Sequence, residues 1–172
     1  MFKILTNNIF LLNYNFVDEG LEFIYSYDAN ELFSFLNVKP NLIILSFSNI
    51  LGSSSIHIIK KLTRFVEELA IIDPEIPLII IGIGSNVTST DFDKFKHEDR
   101  DFVIKKLRDS LSRIKKLKIF VRGDITHKWL LDYFSFSKDI IEFVNYKNYM
   151  KTLSEIGGGF GMFQNNTNFV ES

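Results

Sequence analysis

Cysteine is absent from this chain of 172 residues, and proline and glycine are scarce, with 3 and 9 residues. The absence of thiols excludes disulfides, cysteine nucleophiles, thiolate zinc sites and iron–sulfur clusters. Long apolar runs are also missing, since stretches such as Leu78–Ile81 fall far short of the roughly 20 residues that a membrane span needs. Asparagines interrupt the opening segment, which therefore lacks the continuous apolar core of a secretory signal. We expect no membrane span and a cytoplasmic location.

The charge is nearly balanced over the whole chain but not along it. The formal net charge is −1, which gives no overall positive charge to hold a nucleic acid, so we expect no nucleic-acid partner. Residues 91–128 nevertheless carry 12 basic and 7 acidic side chains. A solvated helix face is the ordinary explanation of such a stretch.

Apolar segments of two kinds alternate along the chain. Short continuous or alternating runs predict strands, and runs with apolar spacings of three and four predict helices. The predicted strands are Phe2–Thr6, Leu21–Tyr27, Leu42–Phe47, Leu78–Ile83, Lys118–Val121 and Ile140–Val144. The predicted helices are Asn30–Leu36, Ile56–Leu69, Asp101–Leu117 and Thr126–Phe134.

Strands that alternate with helices are typical of an open, doubly wound, mostly parallel α/β sheet of the Rossmann-like type. We expect one such domain over residues 1–146, followed by a weakly ordered tail over residues 147–172. Ligands of these sheets bind at the carboxyl ends of the strands. Three predicted loops lie there: Ser48–Ser55, Gly82–Thr90 and Arg122–Thr126.

Arg122 follows a predicted buried strand, with Gly123 and Thr126 behind it. A guanidinium at a strand end can hold a carboxylate or phosphate through two parallel hydrogen bonds. Gly123 permits a tight turn, and Thr126 stands where a helix cap or a ligand-binding hydroxyl belongs. The structural alternative is that Arg122 pairs with an acidic side chain and Thr126 only caps the helix.

A second candidate for ligand binding is the glycine-containing segment Gly82, Ile83, Gly84, Ser85 and Asn86. Backbone N–H groups of such turns can bind anions. The segment lacks the third glycine of a dinucleotide fingerprint, so an ordinary tight turn is its simpler interpretation. The cap segment Gly52–Ser55 lacks the lysine of a nucleoside-triphosphate loop, so plain helix capping is its simpler interpretation.

The three histidines, His57, His97 and His127, are far apart and show no metal-ligand spacing, so we expect no metal. His127 alone lies close to the Arg122 turn, where an imidazole could carry a proton. A surface histidine on a helix is the structural alternative for this residue.

The two segments PLIIIGIGSN (Pro77–Asn86) and KIFVRGDITHKWLLDYF (Lys118–Phe134) together resemble the polysaccharide pyruvyl transferase family. The first carries the strand that ends in a Gly-x-Gly-like turn. The second carries the strand that ends in Val-Arg-Gly, followed by a threonine and an apolar helix. The positions that match are Gly82, Gly84, Ser85, Val121, Arg122, Gly123, Thr126 and Leu130.

This resemblance implies a lobe of a two-lobed GT-B-type fold and transfer of a pyruvyl group from phosphoenolpyruvate to a sugar in cell-surface polysaccharide synthesis. It implies no cofactor, a glycan acceptor and a second lobe or chain as partners. Arg122 and the turn at 82–86 would then bind substrate, and His127 would be the acid. The chain corresponds to the first lobe, so it could be inactive alone. The alternatives are a non-catalytic α/β module that binds a sugar or a partner chain, and a flavodoxin-like nucleotide-binding domain.

Overall fold

The computed structural model describes residues 1–13, 20–47, 56–83, 98–121 and 124–143. The predicted tail at 147–172 and the cap segment Gly52–Ser55 lie outside these residues. None of the helices in the described ranges has both the length and the apolar character that a bilayer crossing requires.

Six parallel strands form one sheet in the order β2-β1-β3-β4-β5-β6. The predicted fold class, an open doubly wound α/β sheet, is thereby confirmed. The first five strands follow the flavodoxin-like order, and β6 extends that order at one edge. The strands are β1 (Phe2–Thr6), β2 (Leu21–Tyr25), β3 (Leu42–Ser46), β4 (Leu78–Ile83), β5 (Leu117–Val121) and β6 (Ile141–Phe143).

Helical segments connect the strands. They are α1 (Phe10–Asn13), α2 (Ala29–Phe35), α3 (Ile56–Ile72), α4 (Glu98–Leu111) and α5 (Asp124–Lys128). A short 3₁₀ helix, Leu36–Val38, follows α2, and another, Lys138–Ile140, precedes β6. The five residues Trp129–Tyr133 continue α5 as a π-helical turn.

Both faces of the sheet are apolar, as parallel sheets require. Alternation along β1 illustrates this arrangement, because Leu5 packs with one core cluster and Ile4 with the other. The first face packs against α2, α3, α4 and the π-helical turn. On the second face, α1 is the one helix of the described ranges that contributes, through Leu11.

Local chemistry explains where several elements begin and end. The strand β2 stops at Tyr25, two residues before its predicted end, because Ser26 already belongs to the cap of α2. The Ser26 hydroxyl accepts a hydrogen bond from the Asp28 N–H at 3.0 Å. Asp28 is itself the N-cap of α2 and accepts from the Asn30 N–H at 2.7 Å.

The predicted bounds of α4 are wrong at both ends, since the helix spans Glu98–Leu111 and not Asp101–Leu117. Tertiary pairing ends it early. The Lys115 N–H donates to the Pro74 carbonyl at 3.1 Å, and the Leu78 N–H donates to the Lys116 carbonyl at 2.9 Å. Residues 112–116 therefore form a turn that starts β5 beside β4.

The basic residues Arg113, Lys115 and Lys116 consequently lie beyond the last turn of α4, where the sequence placed them inside it. Lys115 instead forms an exposed ion pair with Glu75. The hydrogen bond and the charge of Glu75 raise the pKa of Lys115 above its usual value.

Candidate functional site

The strands β4 and β5 are neighbours, and their carboxyl ends lie side by side. Ile83, the last residue of β4, is the register partner of Val121, the last residue of β5. The residues that follow them in the chain are Gly84 and Arg122. The two motifs of the sequence analysis therefore start from adjacent points of one sheet edge.

Gly82 lies inside β4, at an irregularity of the ladder between β4 and β5. Ile80 pairs with Ile119 and Ile83 with Val121, so Ile81 and Gly82 together oppose the single residue Phe120. This is a β-bulge, a feature that is rare in parallel pairs and frequent beside active sites. A glycine within a strand commonly marks such a bulge.

Thr126 and His127 both lie on α5, which begins at Asp124, three residues after the end of β5. The prediction that Thr126 caps this helix is wrong, because Thr126 is the third residue within it. The Thr126 side chain is buried, with 2% exposed, whereas His127 is half-buried. Of the remaining predicted site residues, Arg122, Gly123, Gly84, Ser85 and Asn86 lie outside the described residues. Their roles and that of His127 stay predictions.

A buried polar cluster that was not among the predicted sites lies between α4 and the π-helical turn. Arg100 and Asp101, in the first turn of α4, are 3% and 7% exposed. Nε and one terminal nitrogen of Arg100 donate to Oδ1 of Asp101 at 3.1 and 2.9 Å. The Tyr133 hydroxyl donates to the other carboxylate oxygen, Oδ2, at 2.7 Å.

Trp129 also belongs to this cluster. The Arg100 guanidinium carbon lies 5.6 Å from the ring centroid of Trp129, within the range of a cation–π contact. The rings of Trp129 and Tyr133 are 6.4 Å apart. We call Arg100, Asp101, Trp129 and Tyr133 the Trp129 cluster.

Two signals in the sequence point toward the Trp129 cluster. Trp129 is the single tryptophan of the chain, and it falls within the second motif. Arg100 and Asp101 are adjacent opposite charges at a helix start. The predicted start of α4 at Asp101 left Arg100 in a loop, and no local pattern connects it to a residue 29 positions later.

The strand order places the topological switch point between β1 and β3, because the chain leaves these two neighbours in opposite directions. Asn7, directly after β1, bridges them there. Its Nδ2 donates to the Ser46 carbonyl at 3.1 Å, and the Ser46 N–H donates to its Oδ1 at 2.7 Å. Ligands of open α/β sheets often bind at this point. Asn7 was not among the predicted site residues.

The described residues also form a groove of about 420 Å³ at the amino edge of the sheet. Leu111, Ile114 and Leu117 line its floor, and Ser112, Ser135 and the Arg108–Asp109 pair lie at its rim. Because ligands of this fold class bind at the carboxyl edge, we place the candidate site there and not in the groove.

Within the described residues, no three histidine, aspartate or glutamate side chains converge as metal ligands. Comparison with known proteins adds no assignment: no family model, curated protein or solved structure matches this chain. The site is therefore interpreted from its own residues.

Proposed function

We propose that this chain is the phosphoenolpyruvate-binding first lobe of a pyruvyl-transfer enzyme of cell-surface polysaccharide synthesis. The observation that carries the proposal is the pairing of Ile83 with Val121, which aligns the ends of β4 and β5. The two motifs that resemble the pyruvyl transferase family begin at these ends. A family member requires this adjacency, since both motifs must reach one ligand.

The chemistry of the ligand agrees with the residue types that the sequence places at and after the ends of β4 and β5. Phosphoenolpyruvate carries a phosphate and a carboxylate, and a guanidinium can bind either one through two parallel hydrogen bonds. Arg122 supplies that group in the proposal. Backbone N–H groups at residues 82–86 supply further donors for the second anionic group.

The reaction needs an acid and two hydroxyl groups of the acceptor. Protonation of the methylene carbon makes the adjacent carbon electrophilic, and the sugar hydroxyls then form two new C–O bonds as the C–O bond to phosphate breaks. One hydroxyl proton ends on the new methyl group and the other on inorganic phosphate. His127, on α5 within the second motif, is the acid in this proposal, because imidazole exchanges protons near neutral pH.

Calorimetric titration of the full chain with phosphoenolpyruvate tests the proposal. Arg122→Ala should raise the Kd at least about tenfold, because one charge-assisted contact is lost, which corresponds to ~1.4 kcal/mol. Arg113→Ala is the matched control, since Arg113 is exposed in the turn after α4, at the opposite edge. Binding that is absent, or equal in both variants, would contradict the proposal.

A ketal-forming assay with phosphoenolpyruvate and a polysaccharide acceptor then separates an active enzyme from an isolated lobe. Release of phosphate that depends on acceptor supports catalysis by this chain. Binding without turnover supports a lobe that requires a second lobe or chain.

A non-catalytic binding module is the second candidate, and the position of the switch point favours it. A ligand held between β1 and β3 would contact the residues around Asn7 and Ser46, two strands away from the end of β5. Amide NMR shifts during the same titration distinguish the two candidates. Shifts at Ile83 and Val121 support the first, and shifts at Asn7 and Ser46 support the second.

A further inference from the structure

The Trp129 cluster joins two elements that both begin at the carboxyl edge of the sheet. The last turn of α4 is at the amino edge, because the following turn bonds to Pro74 and to Leu78 at the start of β4. The first turn of α4, with Arg100 and Asp101, is therefore directed toward the carboxyl edge. From the same edge, α5 and the π-helical turn descend from the end of β5.

Polar contacts attach the π-helical turn and the residue after it to α4 at two points along that helix. Near the start of α4, the Tyr133 hydroxyl donates to Asp101. Near its end, a terminal nitrogen of Arg108 donates to the Phe134 carbonyl at 2.7 Å. These contacts fix the π-helical turn against α4, and the Tyr133 contact is the one closer to the carboxyl ends of the strands.

The π-helical turn sets the directions in which the Trp129 and Tyr133 side chains leave the helix. Five residues per hydrogen-bonded repeat, in place of four, change the angle at which successive side chains leave the helix. The Phe134 N–H donates to the Trp129 carbonyl at 3.0 Å, which closes the wide turn. Trp129 and Tyr133 then reach the guanidinium and the carboxylate of one ion pair.

We propose that Tyr133, through its hydrogen bond to Asp101, is a positioning residue that fixes the π-helical turn, and with it α5 and His127, for ligand binding. The inference rests on the proposed function for its ligand, and it adds a residue that neither motif assigned to binding. Tyr133 does not touch the ligand in this account. Its hydrogen bond orders this part of the site before the ligand binds, which reduces the conformational free energy lost on binding.

The central variant is Tyr133→Phe, which removes the hydroxyl and keeps the ring that packs beside Phe134. The matched control is Tyr27→Phe, the same chemical change at a tyrosine that is 81% exposed. With phosphoenolpyruvate as the probe, Tyr133→Phe should weaken binding about tenfold, and Tyr27→Phe should leave the Kd unchanged. A Kd of Tyr133→Phe equal to that of the unmodified chain overturns the inference.

Two further readouts separate positioning from simple loss of stability. Trp129 is the single tryptophan, so its emission reports on the cluster alone, and phosphoenolpyruvate should shift it in the unmodified chain but not in Tyr133→Phe. Asp101→Asn, which retains an oxygen for the Tyr133 hydroxyl, should bind more tightly than Asp101→Ala. Equal affinities of these two variants count against a role for the hydrogen bond.

Hydrogen exchange without ligand keeps this inference distinct from the proposed function. Tyr133→Phe should accelerate amide exchange in α5 by about tenfold and leave α3 unchanged. Faster exchange in a chain that does not bind phosphoenolpyruvate contradicts the proposed function alone. Unchanged exchange in α5 refutes the positioning role, whatever the chain binds.

Discussion

Single residues in this protein show how a polar atom in the core affects stability. Thr63, on α3, is 4% exposed, and its hydroxyl has no hydrogen-bond partner among the described residues. Burying a hydroxyl without a partner costs about 1–3 kcal/mol. Thr63→Val exchanges the hydroxyl for a methyl group of similar size, so the free energy of unfolding should rise by about 1 kcal/mol in urea denaturation.

Thr63→Ser is the control for this substitution, because it keeps the unpartnered hydroxyl and loses the buried methyl group. It should lower the free energy of unfolding by about 1 kcal/mol. If both variants unfold at lower urea concentrations than the unmodified chain, the hydroxyl is not a source of instability.

At the scale of elements, a residue with left-handed backbone follows the π-helical turn, two residues after its end. Ser135 has a φ of 57°, and the Phe136 N–H donates to the Leu130 carbonyl at 2.8 Å across this point. Glycine is favoured at such helix ends because it has no Cβ. Ser135→Gly should therefore raise the free energy of unfolding by about 0.5–1 kcal/mol, measured by thermal or chemical denaturation.

Ser135→Val provides the opposite test, since a β-branched side chain tolerates a positive φ poorly. It should unfold at a lower temperature than the unmodified chain. A valine variant as stable as the glycine variant would show that the left-handed conformation at this residue carries no strain.

Elements also show what the sequence can and cannot predict. The bounds of β1 and β4 agree with the prediction. The strand β1 ends before Asn7, and β4 begins after Pro77 and ends before Gly84, so residues that disfavour strands mark these bounds in the sequence. The end of α4 was mispredicted because Ile114 and Leu117 continue its helical spacing. In the structure, Leu117 instead pairs with Leu78 of β4 as the first residue of β5. The bulge at Gly82 and the Trp129 cluster depend on contacts between distant segments, which local spacing does not encode.

At the scale of the whole molecule, burial is greatest in the middle of the sheet. Four of the five residues of β3 are buried, whereas none of the β2 residues is. Amides exchange with solvent only when their hydrogen bonds open, so the central strands should be protected longest. Native-state hydrogen exchange should be at least about tenfold slower in β3 and β4 than in β2 and β6. Equal protection across the sheet would instead indicate a single global opening.

The extra residue at Gly82 determines how strand β4 would respond to the loss of one residue. Side chains alternate between the two faces of a strand, and Ile81 packs on the second face while Val121, the partner of Ile83, packs on the first. Phe120 also packs on the second face, so Ile81 and Phe120 share a face as an ordinary pair does, and Gly82 is the extra residue. Removing Gly82 would leave Ile81 opposite Phe120 and Ile83 opposite Val121, so the ladder would be regular up to the ends of both strands. A one-residue deletion here is therefore the change that removes the bulge and keeps the pairing at the ends of both strands.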